Sequence, residues 1–109
     1  MKIIIISIHS LALPYLKESF EDEDLIKVTL ITDRLTVDLK KFLISKRINY
    51  LAAKNLTVGK LKKISFKNTV VVSAGSPWIF SEELIKLIGE NFYNIHQSPL
   101  PSMKGSVAP

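Results

Sequence analysis

The sequence predicts an α/β fold of Rossmann type, in which an open, mainly parallel sheet carries helices on both faces. Two β-branched runs support this, an isoleucine run in segment 2–8 and a valine run in segment 69–73. Continuous runs of this kind are typical of parallel strands that are covered on both faces. Between them, apolar residues recur at helical spacing, and strands that alternate with helices favour crossover connections in a parallel sheet.

The first half of the chain is predicted to contain three strands and two helices. Strand 2–8 leads to a helix that begins at Pro14, because the N–H that proline lacks has no helical partner in the first turn. A second strand follows at 25–32, Thr36 is placed to cap the next helix, and a short third strand lies at 49–52. The apolar face of the second helix comprises Leu35, Leu39, Phe42 and Leu43.

The second half continues the alternation. A weak helix is predicted at 56–64, and the fourth strand at 69–73. Ser81 is placed to cap a helix with glutamates in its first turn, and Gly89 is placed to end that helix. The buried stripe of that helix comprises Leu84, Ile85, Leu87 and Ile88. A fifth strand is predicted at 92–96.

Size and composition exclude several classes of protein. A chain of 109 residues with 47% hydrophobic and 23% charged residues fits one small folded domain. The absence of cysteine excludes disulfides and thiolate zinc sites, and two histidines are too few for a histidine-rich metal cluster, so we predict no metal site. The uncharged stretch 3–16 is too short to span a bilayer and lacks a clear cleavage pattern. We therefore expect a cytoplasmic protein without a membrane partner.

Charge is distributed unevenly along the chain. Fifteen basic residues against ten acidic ones give a formal net charge of +5, and segment 40–67 contains basic residues but no acidic ones. Such a segment can attract nucleic acid or a phosphorylated substrate, or it can form the solvated face of surface helices. Because lysine predominates and no arginine–aromatic pattern is interleaved, we favour the solvated face.

Two polar residues, Asn94 and His96, fall at the carboxyl end of the predicted last strand and on the same face of it. Open parallel sheets bind ligands outside the carboxyl ends of their strands. A neutral amide can hold a developing oxyanion, and an imidazole can move protons near neutral pH. The pair suits acyl transfer to an amine, although an Asn-x-His at a strand end is more often structural.

The sequence around this pair extends the pattern. It reads Asn94-Ile95-His96-Gln97-Ser98-Pro99-Leu100-Pro101-Ser102-Met103-Lys104-Gly105. This segment resembles the signature of the folate-dependent formyltransferases, which include the glycinamide ribonucleotide, methionyl-tRNA and sugar-amine formyltransferases. The family pattern is Asn-[Ile/Val]-His, one residue, Ser-x-Leu-Pro, three residues and Gly, and each fixed position is matched. Upstream, segment 70–75 resembles the strand before the folate pocket of that family.

The resemblance implies a site and a reaction. The reaction is transfer of a formyl group from 10-formyltetrahydrofolate to a primary amine, with Asn94 and His96 stabilising the tetrahedral oxyanion and assisting proton transfer. The apolar loop that holds the pterin ring would comprise Trp78, Ile79 and Phe80, although core packing is an equal alternative for the two aromatic residues. The substrate loop would comprise Ser98, Leu100, Pro101 and Gly105.

The chain departs from the family pattern in two places. The family also uses an aspartate some tens of residues after the histidine, and this sequence contains none there. We therefore expect residues 1–109 to be the N-terminal part of a formyltransferase catalytic domain, apparently truncated and with little or no catalysis of its own. In addition, segment 7–12 has no glycine, whereas family members that act on ribonucleotides hold phosphate with a glycine-rich turn there.

Four functions remain open at this point. The favoured one is formyl transfer to an amino sugar, either free or linked to a nucleotide, or to another small amine. A methionyl-tRNA formyltransferase fragment would use segment 40–67 on RNA, and is not favoured. A non-catalytic module that binds folate or only keeps the α/β fold is a third possibility, and a formyltetrahydrofolate hydrolase is a fourth. The oligomeric state is not predicted.

Overall fold

The computed structural model describes residues 1–95, which form one five-stranded sheet with helices on both sides. The strands are β1 (Lys2–Ile6), β2 (Val28–Thr32), β3 (Asn49–Ala52), β4 (Thr69–Ala74) and β5 (Phe92–Ile95). The helices are α1 (His9–Ser19), α2 (Asp22–Leu25), α3 (Val37–Ser45), α4 (Val58–Leu61) and α5 (Glu82–Ile88). Neighbouring strands are all parallel in the order β3-β2-β1-β4-β5, which confirms the predicted α/β fold of Rossmann type.

The isoleucine-rich strand β1 lies at the centre of the sheet, between β2 and β4. Its side chains alternate between two hydrophobic cores. Ile3 and Ile5 face the core that includes residues of α1 and α3, whereas Ile4 and Ile6 face the core that includes residues of α4 and α5. Because both faces of this strand are covered, each of these positions is apolar, and this accounts for the unbroken run in the sequence.

The helices divide between the two faces of the sheet. α1 and α3 bury Ala12, Leu16, Leu39 and Leu43 in one core. The opposite core receives Leu61 from α4 and Leu84 and Ile88 from α5. Helices on both faces are thus confirmed. Within residues 1–95, no helix combines the length and the apolar character that crossing a membrane requires.

The predicted caps are confirmed at two helices. The Thr36 and Ser81 side chains each accept a hydrogen bond from a backbone N–H in the first turn, at 3.2 Å in both cases. Gly89 ends α5 with a φ of 95°, a conformation that residues with a Cβ rarely adopt. The weak helix predicted at 56–64 is shorter in the structure, where it is α4 and spans Val58–Leu61. The Thr57 side chain caps it by accepting a hydrogen bond from the Lys60 N–H at 3.2 Å.

The prediction that a helix begins at Pro14 was wrong, because Pro14 lies inside α1. The helix begins at His9, where the Asp33 carboxylate accepts the backbone N–H of His9 at 2.9 Å. The predicted second strand also began too early, since Leu25 belongs to α2. Its side chain is nevertheless 1% exposed and packs into the core. Burial was therefore predicted correctly at Leu25, but the backbone conformation was not.

Candidate functional site

A cavity of about 400 Å³ lies at the carboxyl ends of β4 and β5. Its walls are formed by Ser73 of β4, by residues of the loop 75–80, and by Asn94 and Ile95 of β5. Cavities that hold small organic ligands fall in the range of about 300–1,000 Å³. The position agrees with the rule that open α/β sheets bind ligands beyond the carboxyl ends of their strands.

The structure brings together four of the residues predicted from the sequence. Trp78, Ile79 and Phe80 line this cavity, and so does Asn94, which comes from a separate strand. The other predicted site residues, His96, Ser98, Leu100, Pro101 and Gly105, lie outside the described residues. The proposed aromatic wall and the proposed amide are therefore neighbours around one space, as the resemblance implies for residues that serve the same ligand.

Hydrogen bonds fix the loop that carries the aromatic residues. Ser76 Oγ accepts the Trp78 N–H at 3.0 Å and donates to the Trp78 carbonyl at 3.1 Å. The indole Nε1 of Trp78 donates to the Lys54 carbonyl at 3.1 Å, which ties the loop to the segment after β3. The Phe80 ring packs edge-on against Phe92, with ring centroids 5.0 Å apart. The wall of the cavity is thus held from several directions before a ligand binds.

Ile79 differs from its two neighbours in this loop. Its side chain is 97% exposed, although isoleucine is usually buried. Since Trp78 and Phe80 are both held by the contacts described above, the loop presents Ile79 to the surroundings instead of packing it. An apolar side chain in this position is available to cover a ligand that enters the cavity.

The loops that follow β1 and β4 touch where the strand order reverses. The Ile8 N–H donates to the Gly75 carbonyl at 2.7 Å, and Gly75 adopts a φ of 70°. Reversal of strand order leaves a crevice in many open sheets. In this chain the backbone hydrogen bond joins the two loops there, and the cavity opens beside this point, between β4 and β5.

A second polar cluster, which sequence reasoning did not predict, lies at the ends of β1 and β2. His9 Nδ1 lies 2.9 Å from Asp33 Oδ2, and Arg34 Nη2 lies 3.2 Å from His9 Nε2. Because a carboxylate only accepts, Nδ1 carries the proton that is donated to Asp33. Burial opposes ionisation of Asp33, but hydrogen bonds from the backbone and ring of His9 outweigh it and hold the pKa of this carboxyl below its usual value.

Replacing Asp33 with asparagine is expected to lower the free energy of unfolding by about 1 kcal/mol at pH 7. Because the pKa of Asp33 is lowered in the folded state, its stabilisation is present above the unfolded pKa of about 4 and is lost as pH falls through the folded pKa. Urea unfolding of both proteins at several pH values measures the difference. Asp22→Asn is the control, since the Asp22 side chain is 78% exposed in its pair with Lys46. A stability difference that persists unchanged at acid pH would contradict the assignment.

Comparisons with known proteins identify no family for this chain. A scan against protein-family models gives no match, and searches of the curated proteins and of the solved structures give none either. Two features of the chain therefore indicate its function: the residues that meet at the cavity, and the resemblance of the segment that begins at Asn94.

Proposed function

We propose that this chain binds 10-formyltetrahydrofolate in the cavity between the ends of β4 and β5 and serves the transfer of its formyl group to a primary amine. The favoured acceptor is an amino sugar, either free or linked to a nucleotide, or another small amine. One observation carries the proposal: the loop residues 78–80 and Asn94 line the same cavity although they come from separate segments. A cytoplasmic location, which suits a chain without cysteine, belongs to the same proposal.

The chemistry of the lining fits a ligand that has a ring system and, outside that ring system, a reactive carbonyl. Trp78 and Phe80 offer aromatic surface to a ring, and Ile79 offers an apolar side chain that can cover it. The lining also includes the polar side chains of Ser73, Ser76 and Asn94. Polar groups at defined positions fix the orientation of an organic ligand. Ring binding and the placement of the carbonyl are thus assigned to different parts of the lining.

Asn94 is assigned to the formyl oxygen. When bound, the folate supplies an activated formyl carbon, which the lone pair of the acceptor amine attacks. Negative charge then develops on the formyl oxygen, and the side-chain N–H of Asn94 donates a hydrogen bond to it. Addition of the amine would give a tetrahedral carbon that is bonded to both nitrogens. When the oxygen then re-forms the carbonyl double bond, the carbon–nitrogen bond to the folate would break, and the proton of the amine would pass to the leaving nitrogen. A role of His96 in that proton transfer stays a prediction from the sequence.

Calorimetry with 10-formyl-5,8-dideazafolate, a stable analogue of the formyl donor, tests this proposal. We expect saturable binding with one site per chain. The control is p-aminobenzoylglutamate, a fragment that has the tail of folate without the bicyclic pterin ring. It is expected to bind more weakly because it leaves the aromatic side chains of Trp78 and Phe80 uncovered.

Other results would favour the alternatives. Absence of binding by the formylated analogue would overturn the proposal and favour a non-catalytic interaction module. Binding of tRNA with a steep dependence on salt concentration would favour the methionyl-tRNA branch, since contacts between lysines and phosphates weaken as salt is added.

A further inference from the structure

The end of β4 contains a buried hydroxyl that the packing of the sheet does not explain. Ser73 is 1% exposed, and its Oγ has no hydrogen-bond partner within residues 1–95. The other buried hydroxyls in this part of the chain each donate to an oxygen: Thr32 to Asp33 at 3.2 Å, Thr69 to Lys67 at 3.0 Å and Ser7 to Ile8 at 3.5 Å. Ser73 therefore differs from the buried residues that it otherwise resembles.

The strand register shows what surrounds this hydroxyl. Ser73 pairs with Ile6 of β1 on one side and with Asn94 of β5 on the other. Ile6 lies in the hydrophobic core and offers no acceptor. Paired residues of neighbouring parallel strands lie on the same face of a sheet, about 5 Å apart. Ser73 and Asn94 therefore project from the same face of neighbouring strands, and both residues line the cavity.

A buried hydroxyl without a partner destabilises the folded chain, because it gives up hydrogen bonds to water and gains none. An alanine at this position would fit the valine-rich strand without that cost. Residues that work against folding are expected where they serve a ligand. Ser73 is also one of the residues that line the cavity, which places it beside the space that a ligand would occupy.

We propose that Ser73 is a ligand-binding residue of the cavity, and that its hydroxyl donates a second hydrogen bond, beside that of Asn94, to the formyl oxygen. The inference rests on the proposed function, which places that oxygen at Asn94. Two donors from neighbouring strands would hold the oxygen more firmly than one, and they would continue to do so as it becomes negatively charged. Ser73 thereby makes the site specific for a folate that carries a formyl group.

The test compares two ligands that differ only by that group. Wild-type chain and Ser73→Ala are titrated with 10-formyl-5,8-dideazafolate and with 5,8-dideazafolate, which lacks the formyl group. The substitution is expected to weaken binding of the formylated ligand by about fivefold and to leave the other unchanged. Without ligand, Ser73→Ala is expected to melt about 4–8 °C higher than wild type, because the unpartnered hydroxyl is gone.

Ser7→Ala is the matched control, since Ser7 is also fully buried but does not line the cavity. It is expected to bind both ligands as wild type does. Equal effects of Ser73→Ala on both ligands, or no effect on either, would overturn the inference and leave the proposed function standing. A lower melting temperature for Ser73→Ala would show a structural hydroxyl and would also overturn it. If wild type binds neither ligand, the proposed function fails, and the inference fails with it.

Discussion

Replacing Trp78 with alanine is expected to weaken binding of 10-formyl-5,8-dideazafolate by about 30-fold or more. The indole forms part of the cavity wall and is fixed by its Nε1 hydrogen bond to the Lys54 carbonyl at 3.1 Å. Alanine removes both the aromatic surface and the tie between the loop 75–80 and the segment after β3. Calorimetry measures the loss of affinity, and urea unfolding measures how much stability accompanies it.

Two further variants separate these effects. Trp78→Phe keeps an aromatic ring but loses the N–H, so it should retain most of the affinity of the wild-type chain. Tyr50→Ala removes a partly exposed aromatic side chain from β3 and should leave binding unchanged, because Tyr50 does not line this cavity. If a folded Trp78→Ala variant bound the analogue with wild-type affinity, this would contradict the placement of the tryptophan in the binding site.

Replacing Ile5 with alanine is expected to lower the free energy of unfolding by about 2–5 kcal/mol. Ile5 is 0% exposed and lies in β1, paired with Leu30 on one side and with Val72 on the other. The substitution leaves a gap beneath α1 and α3 that the central strand cannot close without moving both neighbours. A small domain has a stability of only about 5–15 kcal/mol, so this loss is a large fraction of the total.

Urea unfolding monitored by circular dichroism measures this effect. Ile44→Ala is the matched control, because Ile44 lies on α3 with 60% of its surface exposed and alanine favours the helix. It should change the free energy of unfolding by less than about 0.5 kcal/mol. Equal losses in the two variants would contradict the description of β1 as the centre of the core.

The fold could be predicted because its causes are local in the sequence. The isoleucines of segment 2–8 required cover on both faces, and the hydroxyls of Thr36 and Ser81 marked the starts of two helices. Pro14 misled the prediction for the same local reason. Proline favours a first helical turn, but α1 begins upstream of Pro14, at His9. Burial of Ala12 and Leu16 and the hydrogen bond from His9 to Asp33 stabilise this longer helix.

The site could be predicted only in part. Trp78 could be named only through the resemblance to the formyltransferase family. Asn94 could be named through that resemblance and through its place at the end of a predicted strand. Ser73 could not, because its neighbour is set by the register of β4 and β5 and its sequence surroundings are those of an ordinary buried strand. The pair between His9 and Asp33 depends in the same way on strand order, which brings together residues far apart in the chain.

Of the five strands described, β1 is synthesised before the other four, and its two partners emerge at very different times. β2, whose Val28 pairs with Ile3, is synthesised soon after β1. β4, whose Thr69 pairs with Lys2, is synthesised about 40 residues later. During that interval one edge of an isoleucine-rich strand has free N–H and carbonyl groups, which can pair with another nascent chain. Aggregation therefore competes with folding until β4 has been translated, and the yield of folded protein in a cell depends on how well that edge is shielded.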